Sequence, residues 1–160
     1  GGVNFMIAER LGLNNVHFLL PNSTMDGGSG VVGTLPTPMH TADFIAWVTQ
    51  QFGIEAVQHT EGPGRILQTV ALCGGAGEFL LDEAIKVGAD VFLTGEMGYH
   101  RYFGHENDIL IGVMGHYQSA RFTIQLLHRL LESAHPALRV VETPINTNPI
   151  LLNVAEGLKQ

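Results

Sequence analysis

The sequence predicts an α/β fold in which a parallel or mixed sheet is flanked by helices. Three observations carry that expectation. Apolar, strand-like runs alternate with helix-periodic segments, most clearly in the second half of the chain. The loops between them are short. Three successive runs also end in glycine-rich or polar turns: Gly74-Gly75-Ala76-Gly77, Thr94-Gly95-Glu96 and Gly115-His116. Strand–helix alternation with short connections is the pattern of βαβ units, which build parallel sheets.

Taken in order, residues 3–12 read as a helix with Phe5, Ile7, Ala8 and Leu11 on one side and Gly12 closing it. Residues 16–20 form a short strand ended by Pro21. Residues 22–30, rich in Gly, Ser and Asn, are expected to be a loop and the best candidate for a boundary. A strand over 31–35 follows. Thr41 then caps a helix over 42–52 that Gly53 stops, and residues 54–59 form another strand.

The second half is more regular. Residues 67–73 are a buried strand. The helix after it, 78–87, turns Phe79, Leu80, Ala84 and Val87 to the core and has Gly88 beyond its end. A strand over 91–93 leads through Thr94-Gly95-Glu96 into a short helix, and residues 109–114 make a third strand. Gly115-His116 opens the longest helix, 117–133, with an apolar stripe of Phe122, Ile124, Leu127, Leu130 and Leu131. Residues 138–141 are expected to add a last strand. No internal repeat or low-complexity tract is visible.

Composition bounds the function. A chain of 160 residues argues for about one domain. With 45% hydrophobic and 14% charged residues it is too apolar for disorder. The formal charge of −7 and the absence of any Lys or Arg run disfavour nucleic acid as a partner, since no basic face would displace counterions from a phosphate backbone. A single cysteine, Cys73, excludes an intrachain disulfide and a thiolate zinc cluster, and it reads as inert core. No apolar run is long enough for a membrane helix and no signal peptide is seen, so the cytoplasm is the expected compartment. The chain opens at Gly1 inside a helix-like stretch, from which we expect further residues upstream.

Chemistry is expected where the three turns meet, because ligands of open α/β sheets bind outside the carboxyl ends of the strands. The turn Gly74–Gly77 fits neither the dinucleotide fingerprint, since position 80 is Leu, nor a P-loop, since no Gly-Lys-Ser/Thr follows. It is a tight strand-to-helix turn or a place of close backbone approach to a ligand. Glu96 and His100 stand four apart at a predicted helix start, where they would share a face and hold a metal or a water, or serve as a helix-dipole carboxylate beside a surface histidine. His116 puts an imidazole at the sheet edge and is either a capping residue or a metal ligand. One helical turn later, where a second ligand would stand, the residue is Ala120. His17, His40, His59, His105, His128 and His135 are scattered and expected at the surface.

These residues carry a resemblance. The segment VALCGGAGEFLLDEAIKVGADVFLTGEMGYH (70–100) and GHYQSARFTIQLL (115–127) resemble the C-terminal half of the Ngg-interacting-factor-three-like proteins, also called GTP cyclohydrolase I type 2 homologues. The marks are the G-G-x-G turn, the A-D-V-x-x-T-G-(D/E) strand end with a histidine shortly after, and the G-H-(aromatic) helix start. GGVNFMIAERLGL and GVVGTLP resemble earlier stretches of the family. The resemblance implies two α/β lobes, with residues 1–35 the remnant of the first lobe and a linker and 36–160 the second. It also implies a dinuclear centre of divalent ions (Zn, Fe, Mn or Ni) in the cleft between the lobes, usually within a homohexamer. Of the family's ligands only His116 carries over. The expected glutamate is Ala120, Gln118 occupies a position that is often acidic, and the N-terminal ligands would precede Gly1. Glu96, His100, Tyr117, Gly75 and Gly77 then become residues that face a substrate or support a ligand. Three functions follow: a metal-dependent, cyclohydrolase-like hydrolase of a small, nucleotide-like molecule; a non-catalytic scaffold or regulatory partner with a degenerate site; and, more weakly, a nucleotide-binding module using Gly75–Gly77.

Overall fold

The computed structural model describes residues 2–24 and 26–152. Six strands form one mixed sheet: β1 (Asn14–Pro21), β2 (Gly28–Met39), β3 (Gln58–His59), β4 (Leu67–Cys73), β5 (Val91–Thr94) and β6 (Leu110–Val113), in the order β1-β2-β4-β5-β6-β3. Only β4, β5 and β6 run parallel, while β1, β2 and β3 attach antiparallel. The helices are α1 (Val3–Arg10), α2 (Thr41–Phe52), α3 (Leu81–Lys86), α4 (His116–Ala120) and α5 (Phe122–Ala134).

The sheet is covered on both faces, which explains why its central strands are mostly apolar. On one face Ile7 and Ala8 of α1, Leu11 just beyond it, and Phe44, Val48 and Phe52 of α2 pack with Phe122 against Val70, Leu72, Val91, Leu93 and Leu110. On the other, Leu80, Leu81 and Ala84 pack against Ala71, Cys73, Phe92, Ile111 and Val113. Strand alternation sends neighbouring residues to opposite cores.

Several elements differ from expectation. Residues 28–30 begin β2, which pairs with β1 up to Pro21, so the Gly/Ser/Asn stretch joins two paired strands of one sheet. Of residues 54–59 only Gln58–His59 pair, at the sheet edge against β6. Thr41 begins α2 rather than capping it; His40 is the cap residue and makes no side-chain cap bond. The expected helix 78–87 starts as a 3₁₀ turn, Glu78–Leu80, before α3. A 3₁₀ turn advances three residues per turn rather than 3.6, which rotates the face. Leu80, Leu81 and Ala84 are therefore buried, while Phe79 and Val87 are exposed. The last long helix begins at His116 and is interrupted at Arg121. Only Phe122 of its stripe is buried; Ile124, Leu127, Leu130 and Leu131 are exposed among the described residues. Residues 138–141 form no strand.

The amino ends of the parallel strands are held by one carboxylate. Asp90 Oδ2 accepts the backbone N–H groups of Gln68 and Thr69, both at 2.9 Å, and Oδ1 accepts Arg65 Nε at 2.8 Å. Arg65 also donates to Asp108 O at 3.0 Å. Burial pushes the Asp90 carboxyl up, but the bonds from Thr69, Arg65 and Gln68 and the charge of Arg65 outweigh it, leaving it below the usual carboxylate value. A carboxyl depressed in the folded state contributes stability that is complete above its unfolded pKa of about 3.9 and is lost as pH falls through the lower folded value. Asp90→Asn should cost about 1.5–3 kcal/mol at neutral pH and flatten the fall in urea midpoint below about pH 4. An Asp90→Asn chain with the wild-type acid profile would contradict this account.

Candidate functional site

The opposite, carboxyl ends of β4, β5 and β6 run into the three turns singled out in the sequence, and hydrogen bonds tie those turns together. Gly95 N donates to Gly75 O at 3.0 Å, joining the second turn to the first. Gly75 N donates to Ser119 Oγ at 2.9 Å, and Ser119 Oγ donates to His116 O at 2.9 Å, joining the first to the third. Thr94 Oγ1 accepts Gly77 N at 3.2 Å and donates to Gly75 O at 3.4 Å. Asn4, reaching over from α1, accepts Gly74 N at 2.9 Å. Thr94 and Ser119 are fully buried, and their hydroxyls have both partners they need.

This arrangement decides the role of the glycine turn. The N–H groups of Gly74, Gly75 and Gly77 are spent on Asn4, Ser119 and Thr94, so they form no cradle for a phosphate. The tight-turn reading holds. A Cβ at Gly77 would lie 2.6 Å from Cys73 Cβ and 2.7 Å from Thr94 Oγ1. Gly77 thus permits close packing and does not face the cleft. Gly75, at φ +68, would bring its Cβ to 3.5 Å from Cε1 and 3.7 Å from Nε2 of His116, so it is the floor on which the imidazole rests. Cys73 is buried and burial pushes its thiol up, which fits inert core.

Glu96 and His100 do not share a helical face. Glu96 lies in an irregular stretch, and His100 belongs to a 3₁₀ turn, Tyr99–Tyr102, where it meets the edge of Tyr99 at 5.5 Å. Glu96 instead accepts a hydrogen bond from Nδ1 of His116 at 2.8 Å. A carboxylate on Nδ1 fixes the tautomer and leaves the Nε2 lone pair for a ligand, the usual orientation of a metal-bound histidine. Both side chains are about half exposed, 53% and 54%, so water reaches the pair.

A cavity of about 340 Å³ opens beside it, lined by Glu96, His116, Tyr117, Ala120, Asn148 and Ile150 among others. Ala120 faces this space one turn after His116, so the position of the expected glutamate is open to the cleft. Gln118 borders an adjoining cavity of about 360 Å³ with Gly95, Glu96 and His116. Most of the scattered histidines lie at the surface, with His105 and His128 partly covered. His128 is bonded through Nε2 to Glu132 at 3.1 Å and through Nδ1 to Glu142 at 2.6 Å. The Glu132 and Glu142 hydrogen bonds raise its pKa, and the Glu142 bond ties the C-terminal segment to α5.

Sequence reading placed Thr94 in a turn without giving it a role, and missed Ser119, Asn4 and the C-terminal wall of Asn148 and Ile150. A hydroxyl ending an otherwise apolar strand, and another inside the His-Tyr-Gln-Ser-Ala turn, are signals for the first two. Nothing local marks Asn4 or the wall, which long-range folding brings to the site.

Among the described residues no three His, Cys, Asp or Glu side chains converge as a metal-binding group. His116 Nε2 is a single imidazole donor, and one donor does not by itself make up the coordination of a divalent ion. Nor does it fit a dinuclear centre, since two divalent ions need several anionic or imidazole donors.

Comparison with known proteins agrees with this architecture. A family model described as Duf34/NIF3 (NGG1p interacting factor 3) matches residues 1–149. The chain is 30% identical over 127 residues to a GTP cyclohydrolase 1 type 2 homolog of Pseudomonas aeruginosa, covering 79% of this chain and 49% of that protein. A Staphylococcus aureus hypothetical protein, SA1388, superposes with a TM-score of 0.80 at 20% identity, over 95% of this chain and 64% of that one. TTHA1606 of Thermus thermophilus gives 0.66 at 26% identity, over 90% and 56%. The chain thus spans about half the length of the P. aeruginosa relative.

Proposed function

Because this chain belongs to the Duf34/NIF3 family, we propose that it supplies one wall of a metal-assisted site, with His116 as a ligand through Nε2 and Glu96 as the group that orients it. The carboxylate–imidazole pair at 2.8 Å, exposed at the carboxyl edge of the parallel strands, is the observation that carries this reading. The partner ion is a divalent one, Zn, Fe, Mn or Ni, and the remaining donors come from a second lobe of the whole protein. Such an ion supplies Lewis acidity and makes water a nucleophile near neutral pH. This chain's own residues bind and orient. Glu96 holds the Nδ1 proton, Gly75 supports the ring, and Tyr117 and Asn148 border the space where a small, nucleotide-like substrate would lie.

The reaction proposed for the whole protein is hydrolytic and cyclohydrolase-like, in a homo-oligomer and in the cytoplasm. Among the described residues no helix is long and apolar enough to cross a membrane. His116→Ala in the full-length protein should lower zinc affinity by about tenfold or more. Undiminished binding, or a full-length protein that carries no stoichiometric Zn, Fe, Mn or Ni on elemental analysis, would remove the reading.

One observation favours a second reading. Ala120 stands where a second donor would be, and no three donors converge among the described residues. The same geometry therefore suits a scaffold or regulatory protein whose site has decayed.

A further inference from the structure

Two guanidinium groups converge beside this cleft with no carboxylate partner among the described residues. Arg65, Arg101 and Arg129 each meet an acid, namely Asp90, Asp82 and Glu9. Arg10 and Arg121 instead donate to carbonyls at the end of α2. Arg10 Nε reaches Gln51 O at 2.6 Å, and Arg121 Nη2 reaches Phe52 O. Both also lie over the ring of Phe122, at 4.7 and 5.2 Å from its centre. Helix capping explains part of this. The last turn of α2 has no basic residue of its own, and its carbonyls present about half a negative charge. Two guanidiniums bring two positive charges to this end of the helix.

These arginines border a groove of about 270 Å³ with Tyr117, Gln125 and Thr143. Glu142 also borders it, but its carboxylate is engaged by His128 at 2.6 Å. Arg121 and Tyr117 continue the groove into a space of about 280 Å³ that Glu55 also borders, and Tyr117 borders the cavity at Glu96 and His116. Arg121 follows His116 by five residues, which at helical rise is about 7.5 Å along the chain axis.

We propose that Arg10 and Arg121 form an anion subsite for the phosphate group of a ligand whose other end lies at the Glu96–His116 pair. A phosphate monoester carries about 1.5 to 2 negative charges at neutral pH, and guanidinium groups bind it through paired hydrogen bonds. The subsite rests on the metal-site reading only for the position of the ligand's far end. It also gives a phosphate a place that the Gly74–Gly77 turn does not.

The test is titration of this chain with inorganic pyrophosphate, followed through the arginine Nε–H resonances. Pyrophosphate should move the signals of Arg10 and Arg121. Binding should weaken about tenfold or more in Arg10→Gln and in Arg121→Gln. Each substitution also strips a cap from α2, so Thr49→Ala is the control. It removes a bond to Ile45 O within that helix, at 2.7 Å, without changing charge, and it should bind as wild type. Silent arginine signals, or equal binding by both Gln variants and the wild type, would overturn the proposal and leave the arginines as caps only. His116→Ala should keep pyrophosphate binding. If that variant also keeps zinc affinity, only the metal reading falls. If it loses pyrophosphate, the anion sits at the imidazole and the separate subsite falls.

Discussion

Gly95→Ala should destabilise the chain by about 2–4 kcal/mol and pull the Glu96–His116 pair apart. A Cβ at this position would stand 2.5 Å from Ser119 Oγ, 2.7 Å from Gly75 O and 2.9 Å from Gly75 N. Two of those atoms are backbone and the third is a hydroxyl already bonded on both sides, so no flexible side-chain end can yield. The added methyl has to separate the second turn from the first, and the Gly95 N to Gly75 O bond is the contact it would break. Glu96 is the next residue, so its carboxylate moves with the displaced turn. Urea unfolding reads the stability. The His116 ring resonances read the pair, since the tautomer held by Glu96 would give way to a mixture. A Gly95→Ala chain with the wild-type midpoint and an unchanged imidazole spectrum would show that the three turns are not packed as described.

Ala120→Glu in the full-length protein should raise zinc affinity by about tenfold or more. Residues 116 and 120 are one turn apart on α4, a spacing at which two side chains meet on one face. Both also line the cavity of about 340 Å³ that holds Glu96. The substitution adds an anionic donor beside an imidazole that Glu96 already orients, and the side chain at 120 borders the cavity. A gain of this size means the rest of the site is intact and only this donor is missing. No gain would favour the scaffold reading, in which the site has decayed beyond one residue.

How much is legible in the sequence depends on the range of the interaction. The three turns are visible because each is local: Gly-Gly-Ala-Gly, Thr-Gly-Glu and Gly-His interrupt apolar strands whose character is set by burial on both faces. The Gly53 and Gly12 stops are visible too, because a left-handed position favours glycine whatever packs around it. Expectation fails where distant partners decide. Pairing Glu96 with His100 assumes a regular helix, but the chain leaves β5 in irregular form and the carboxylate finds the imidazole of His116 instead. Phe79 and Val87 are misplaced because a 3₁₀ start shifts the helical face. Residues 22–30 resemble a boundary by composition alone, since a hairpin turn and a linker use the same amino acids.

The sequence by itself determined the class of fold, the three central strands and the family, because these rest on periodicity, turn chemistry and motif order along the chain. It also determined that His116 stands at a strand end with Ala120 one turn beyond. Only the tertiary structure decided which groups meet there. Ser119 locks the first turn to the third, Gly75 supports the imidazole, and Glu96 turns to His116. Most of those contacts join residues far apart along the chain, and their energies depend on distance in space, which no local pattern encodes.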